Sequence, residues 1–249
     1  MKRGLRKLKS ENPVDVSLIL PAYNEERSIE KVVVRVDSVL KETVLSYELI
    51  IVDDGSRDTT RRKALNFSQN NSNLKVVGYD VNMGKGNAIR QGFSQACGDA
   101  VVFLDSDLDI APSQISWYVR ALKHGDLVVA SKRHPQSIVE VPFLRRFLSY
   151  GFNVLVKLLT GLRVRDTQTG LKAVRRKALE PVFRVLTVCR FAFDVELLTV
   201  ANLNNLKIIE LPVKIRLTKM LFSPFEMWKM FVDLLGIAYR LRVIKWYQQ

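Results

Sequence analysis

The 249 residues include only 2 cysteines and 2 histidines. Cys97 and Cys189 lie far apart and in no metal-ligand spacing. That excludes a disulfide framework and a thiolate metal cage, and it fits a reducing compartment. Long apolar runs are missing too. No stretch reaches the roughly 18–20 residues that a membrane span needs. The best one, residues 227–239, is broken by Lys229 and Asp233. The first ten residues are basic but have no apolar core behind them, so they are not a secretory signal. There is no internal repeat and no low-complexity segment. Acid is the scarcer charge: 25 Asp and Glu face 39 Lys and Arg, for a net charge of +14. Such a surplus implies anionic partners or a solvated basic surface.

Hydrophobic residues make up 47% of the chain, enough for one compact domain with a sizeable core. After a basic tail (residues 1–13), apolar runs at 16–20, 48–52, 74–79, 100–104 and 126–130 read as strands. Helical spacing follows at 28–42, 58–68, 86–96 and 143–159. Residues 166–172 read as a polar loop, 207–215 as a strand, and the end from Phe222 as one or two amphipathic helices. Strands alternating with helices imply a parallel α/β sheet, in which ligands bind beyond the carboxyl ends of the strands.

Three of those ends carry polar clusters. Asp105-Ser106-Asp107 follows the fourth strand. Carboxylates at i and i+2, with Asp109 as a third oxygen donor, suit a hard divalent cation whose shell a diphosphate completes. Read alone, the cluster is a solvated acidic turn. Val52-Asp53-Asp54-Gly55-Ser56 offers carboxylates to nucleobase N–H groups or ribose hydroxyls, Gly55 for a tight turn, and Ser56 or Asp58 as a helix cap. Pro21 to Glu25 offers Tyr23 to pack on a base and Glu25 to bond it; alone it is a generic strand-to-helix loop. The glycine-containing segment at 82–88 lacks the third glycine of a dinucleotide fingerprint and the signature of a phosphate loop.

In this order and spacing the motifs resemble the family 2 glycosyltransferases, and within them the polyprenyl- and dolichyl-phosphate sugar synthases. The likeness runs from about Val16 to Ile215. It includes Asn82 to Ala88, Asp166 to Lys172 (D-x-Q-x-G-x-K) and Phe193 to Glu196 (F-D-x-E). The resemblance implies a GT-A fold: a mostly parallel central sheet flanked by helices, with C-terminal amphipathic helices. It divides the chain into the tail, a catalytic domain at 14–218 and interface helices at 219–249. It implies that Pro21, Tyr23, Glu25, Val52, Asp54, Lys85, Asp105 and Ser106 bind a nucleoside-diphosphate sugar. Asp105, Asp107 and Asp109 would hold Mg2+ or Mn2+, with Asp107 and Arg133 in the catalytic centre. Arg145, Ser149 and Arg216 would hold an acceptor phosphate. Asp166 is the nearest residue to a general base, against a reading as anchor of its own loop.

The implied reaction is inverting transfer of one sugar, from GDP-mannose, UDP-glucose or a UDP-N-acetylhexosamine, to a polyprenyl or dolichyl phosphate. The segments at 82–88 and 166–172 lean toward the dolichyl-phosphate glucosyltransferase type. The Q-x-x-R-W segment of processive synthases is absent. An anionic phosphate acceptor needs no base, and neither His124 nor His134 is placed to act as one. Another lipid, a lipid-linked oligosaccharide or a soluble acceptor is the alternative within enzymes; a silent nucleotide-binding membrane scaffold is the alternative outside them. Aromatic and basic residues mix at 143–157 and from 222 on, as in helices that lie in a membrane interface, although both stretches also suit core-covering helices. The expected location is the cytoplasmic face of a membrane, peripheral or monotopic, alone or with a membrane-anchoring partner. No nucleic-acid module appears.

Overall fold

The computed structural model describes residues 14–43, 46–216 and 223–248, with the side chain of Arg145 outside that description. The basic tail and residues 217–222, including Phe222, also lie outside it.

Seven strands form the central sheet: β1 (Val16–Ala22), β2 (Tyr47–Asp54), β3 (Leu74–Tyr79), β4 (Ala100–Leu104), β5 (Leu127–Ser131), β7 (Leu171–Arg175) and β8 (Ile208–Pro212). Their order is β3-β2-β1-β4-β7-β5-β8. All run parallel except β7, which is antiparallel to both of its neighbours. A small second sheet pairs β6 (Ile138–Glu140) with β9 (Lys214–Arg216). The helices are α1 (Ile29–Thr43), α2 (Thr60–Gln69), α3 (Lys85–Gln95), α4 (Ile115–Ala121), α5 (Phe143–Thr160), α6 (Arg176–Val185), α7 (Phe193–Leu203) and α8 (Pro224–Arg242).

Period-two alternation gives the sheet two cores. Ile19, Ile50, Val52, Val101 and Phe103 face α3, α6, α7 and α8. Leu18, Leu20, Leu49, Ile51 and Val102 face α1 and α4. The expected mostly parallel α/β architecture is present; α4, β6, α6 and α7 stand where no element is expected, and two boundaries differ. The 166–172 loop runs into β7 at Leu171. The strand expected at 207–215 breaks at Val213, so β8 stays in the main sheet and β9 leaves it. The C-terminal part is one helix, α8, begun by a Ser223–Glu226 capping box.

Glu196, with no exposed surface, fastens the C-terminal segment to α7. It accepts the Thr187 and Val188 N–H groups, the Thr187 hydroxyl and the Tyr247 hydroxyl, and lies 3.5 Å from Arg240. Glu196→Ala strands these donors and leaves Arg240 only its bond to the Tyr247 hydroxyl. It is expected to lower the unfolding free energy by about 3–5 kcal/mol, read from the urea midpoint.

Candidate active site

The carboxyl ends of β1, β2 and β4 open on one crevice. Short bonds stitch their loops together. Ser106 donates its hydroxyl to the Pro21 carbonyl at 2.9 Å. The Asn24 N–H reaches the Ser56 hydroxyl, and the Arg57 N–H reaches the Asn24 side chain. Asn24 and Gly55 both take positive φ, the tight-turn geometry anticipated at Gly55. Of the two expected caps, Asp58 receives the first N–H of α2, at Thr60; Ser56 instead serves the β1 loop. Tyr23 stands open at the crevice mouth, 41% exposed. Glu25 receives the Ser28 hydroxyl at 2.5 Å.

The acids at the end of β2 divide their work. Asp54 turns toward α3 and holds the glycine segment, taking the Tyr79 hydroxyl, the Asn82 amide and the N–H groups of Met83 and Gly84. Asp53 turns the other way. Its Oδ2 takes the Ser56 N–H, while its Oδ1 is buried with no hydrogen-bond partner. The resemblance implies a nucleotide-binding role for Asp54, which here holds the glycine segment. Val52 is fully buried beneath α3, so its side chain supports the crevice floor.

The charged centre lies at the end of β4. Lys85, at the start of α3, places its ammonium 2.6 Å from Asp105 and 3.5 Å from Asp194. Asp194, in the first turn of α7, also binds the buried Lys172 of β7 at 2.8 Å. Lys172 donates to the Thr169 carbonyl as well. Gly170 packs directly on the other oxygen of Asp105, leaving no room for a Cβ. Asp107 receives the Asp109 N–H, and Leu108 between them takes φ 60°, strained backbone of the kind that collects at functional sites. Burial and the neighbouring charges of Asp105 and Asp109 push the Asp107 carboxyl up to about 6. A hard divalent cation would relieve that crowding, so this donor set fits Mg2+ or Mn2+. Among the described residues no three His, Cys, Asp or Glu side chains form a cage. The protein would therefore supply a partial shell, with the substrate and water completing it.

Basic residues stand at the ends of β5 and β9. Arg133, after β5, donates to the Ser149 carbonyl at 2.8 Å and lies over the Tyr150 ring. This joins two of the expected phosphate-binding positions. Arg216, the last residue of β9, lies beside the acidic segment: its N–H bonds the Asp109 carbonyl, and its guanidinium pairs with Glu140 at 3.3 Å while remaining exposed. Arg145 lies one helical turn before Ser149 on α5.

Asp166 is buried and fully engaged. It takes the Lys132 and Gln168 N–H groups and the Thr169 hydroxyl, and pairs with the Lys132 ammonium. Burial alone would raise its pKa, but Lys132 and those hydrogen bonds hold it below the ordinary value. A general base needs the opposite shift, so the geometry favours the loop anchor over the base. Asp194 behaves likewise: burial opposes its charge, and Lys172 and Lys85 outweigh it. Carboxyls depressed in the fold contribute stability that is present above their unfolded pKa and lost as pH falls through the folded one. The urea midpoint is therefore expected to rise slightly as pH falls from 7 through about 6, where the raised Asp107 takes up its proton, and to fall below the ordinary aspartate range near about 4, where Asp166 and Asp194 lose their charge. Asp166→Asn should flatten that fall.

The profile of the family described as Glycosyl transferase family 2 matches residues 17–183. A dolichyl-phosphate beta-glucosyltransferase of Trichomonas vaginalis is 34% identical over 248 residues, 94% of this chain and 76% of that protein. The Homo sapiens dolichyl-phosphate beta-glucosyltransferase is 32% identical over 251 residues, covering 93% and 77%. Among solved structures, the glucosyl-3-phosphoglycerate synthase of Mycobacterium tuberculosis, in complex with Mn2+, uridine diphosphate and its glucosylated product, superposes with a TM-score of 0.66. It is 24% identical and covers 91% of this chain and 79% of that one. This likeness speaks to the GT-A fold.

Proposed function

Since the chain belongs to glycosyl transferase family 2, we propose that it transfers one glucose from UDP-glucose to dolichyl phosphate, with inversion, at a membrane surface. The carrying observation is the convergence of three polar strand ends on one crevice, with the Asp105 and Asp107 carboxylates at the end of β4 and Arg216 bonded to the neighbouring Asp109 carbonyl. The acceptor class follows the curated relatives, which are dolichyl-phosphate beta-glucosyltransferases along most of their length. UDP-glucose and Mn2+ accompany the structural neighbour in a further complex.

In this reading the nucleoside lies against Pro21, Tyr23, Glu25 and Asp54, over the floor that Val52 supports. Asp105 and Asp107 would hold Mg2+ or Mn2+, which when bound offsets charge on the diphosphate. An acceptor phosphate oxygen attacks the anomeric carbon, the bond from that carbon to the diphosphate oxygen breaks, and UDP leaves. The acceptor arrives already ionised. The chain's task is to orient it against another anion with Arg133, Arg216 and the Arg145–Ser149 turn. The engagement of Asp166 within its own loop agrees with base-free chemistry.

The membrane reading rests on α5 and α8, which touch through Arg242 and the Leu158 carbonyl at 2.7 Å. Phe143, Phe147, Tyr150 and Leu158 stand exposed on α5, and Phe225, Trp228 and Tyr239 on α8, with Arg146, Lys157 and Lys229 among them. Met230, Leu234 and Ile237 are buried, so α8 is a wall of the catalytic body as well as part of its interface segment. Among the described residues no helix is long and apolar enough to cross a membrane. We place the protein on the cytoplasmic face, alone or beside an anchoring partner. Co-sedimentation with anionic vesicles at low salt is the expected result, and its absence removes this part of the reading.

The test of activity is nucleoside-diphosphate release from UDP-glucose, GDP-mannose and UDP-N-acetylglucosamine, with Mn2+ or Mg2+, with and without dolichyl phosphate. Release that needs UDP-glucose, metal and the lipid phosphate is expected. Release with a soluble phosphate monoester but not the lipid overturns the acceptor.

A further inference from the structure

Asp105 already has a cation on one oxygen and a close neighbour at the other. Oδ1 carries the Lys85 ammonium, and Oδ2 lies against the α-carbon of Gly170. Gly170 cannot yield easily, because its loop is tied down by Asp166 on one side and Lys172 on the other. A divalent cation that binds Asp105 therefore meets the Lys85 ammonium already paired there. Lys85 itself has somewhere to go. The nearer oxygen of Asp194 lies 3.5 Å from its ammonium, while the second oxygen of that carboxylate is held by Lys172. Lys85 also feels the charge of Asp107, so it sits as a built-in cation among three carboxylates. Its root at the first residue of α3 is fixed by Gly84 and Gly86, packed against the 188–190 backbone and Phe193 with no space for side chains.

We propose that Lys85 is a positioning residue that competes with the divalent cation for Asp105. Asp194 is the station to which it withdraws, so that its charge then faces the donor diphosphate. The inference rests on the metal reading above and adds an order to it. The ammonium neutralises the carboxylates until the cation takes Asp105, and is then released toward the incoming charge. Asp194 acts only through Lys85, and Lys172 keeps Asp194 ionised and oriented.

The competition has a sign that a merely structural lysine lacks. Mn2+ binding would be measured by electron paramagnetic resonance on the full chain without nucleotide, for wild type, Lys85→Met, Lys85→Arg, Asp194→Asn and Asp107→Ala. Lys85→Met is expected to bind Mn2+ about fivefold or more tightly than wild type, while transferring sugar more slowly. Lys85→Arg, which keeps the competing charge, should stay near wild type. Asp194→Asn removes the station and should weaken Mn2+ binding. Circular dichroism would check its fold, since Lys172 loses its partner, and Lys85→Met tests the competition without it. Unchanged or weaker Mn2+ binding in Lys85→Met overturns the proposal. If wild type with UDP binds no Mn2+, or binds it equally well as Asp107→Ala, the metal reading itself fails, and this proposal with it.

Discussion

Asp107→Ala is expected to lose about a thousandfold or more in sugar transfer while folding as well as the native chain. A divalent ion on a leaving diphosphate supplies several kcal/mol of charge stabilisation, and about 4 kcal/mol corresponds to that factor. The fold should tolerate the change because Asp107 is crowded by Asp105 and Asp109 and receives a single backbone N–H. Removing one of three like charges relieves repulsion. The measurements are UDP release in the presence of dolichyl phosphate and thermal unfolding of both proteins. Transfer within tenfold of native would remove Asp107 from the catalytic centre.

Gly170→Ala should be nearly as damaging to activity, by a different route. The added methyl would overlap the Asp105 carboxylate, so either Asp105 turns away or the 166–170 loop lifts and pulls Lys132 with it. Overpacking of this kind lowers stability by about 1–3 kcal/mol. A displacement of about 1 Å in the charged centre lowers transfer about a hundredfold. Gly151→Ala, where nothing lies within 4 Å of the new methyl, is the matched control and should lose no stability, since alanine is the better helix former. Equal activity in the two variants would show that Gly170 does not set the position of Asp105.

What was legible in the sequence, and what was not, follows from which contacts are local. Strands β1 to β5 are apolar runs whose burial needs no partner to be recognised, and the acids at their ends are contiguous. β7 was hidden because its second residue is a lysine. Only Asp194, on a different element, makes a buried charge tolerable there. α7 shows no stripe because it is buried on every side from Phe193 to Ala201. Asp53 and Asp54 look alike as neighbours in a motif, yet strand alternation sends one to the glycine segment and leaves the other with a free oxygen. The F-D-x-E segment was recognised as a resemblance. Its physical content, a lysine clamp at Asp194 and a C-terminal fastening at Glu196, needed coordinates.

The reversed strand inside the sheet also shapes how the chain comes to be. β7 lies between β4 and β5 but is made after both, with β6 and all of α5 intervening. While a ribosome works through that interval, roughly a few seconds long, two apolar strand edges wait without their hydrogen-bonding partner. Closing the sheet by insertion, rather than by adding a strand at its rim, is a late and non-local step. Such steps are slow and leave sticky intermediates. The amphipathic helix α5 emerges during the same interval, so its exposed apolar residues are made before the sheet beside it is complete.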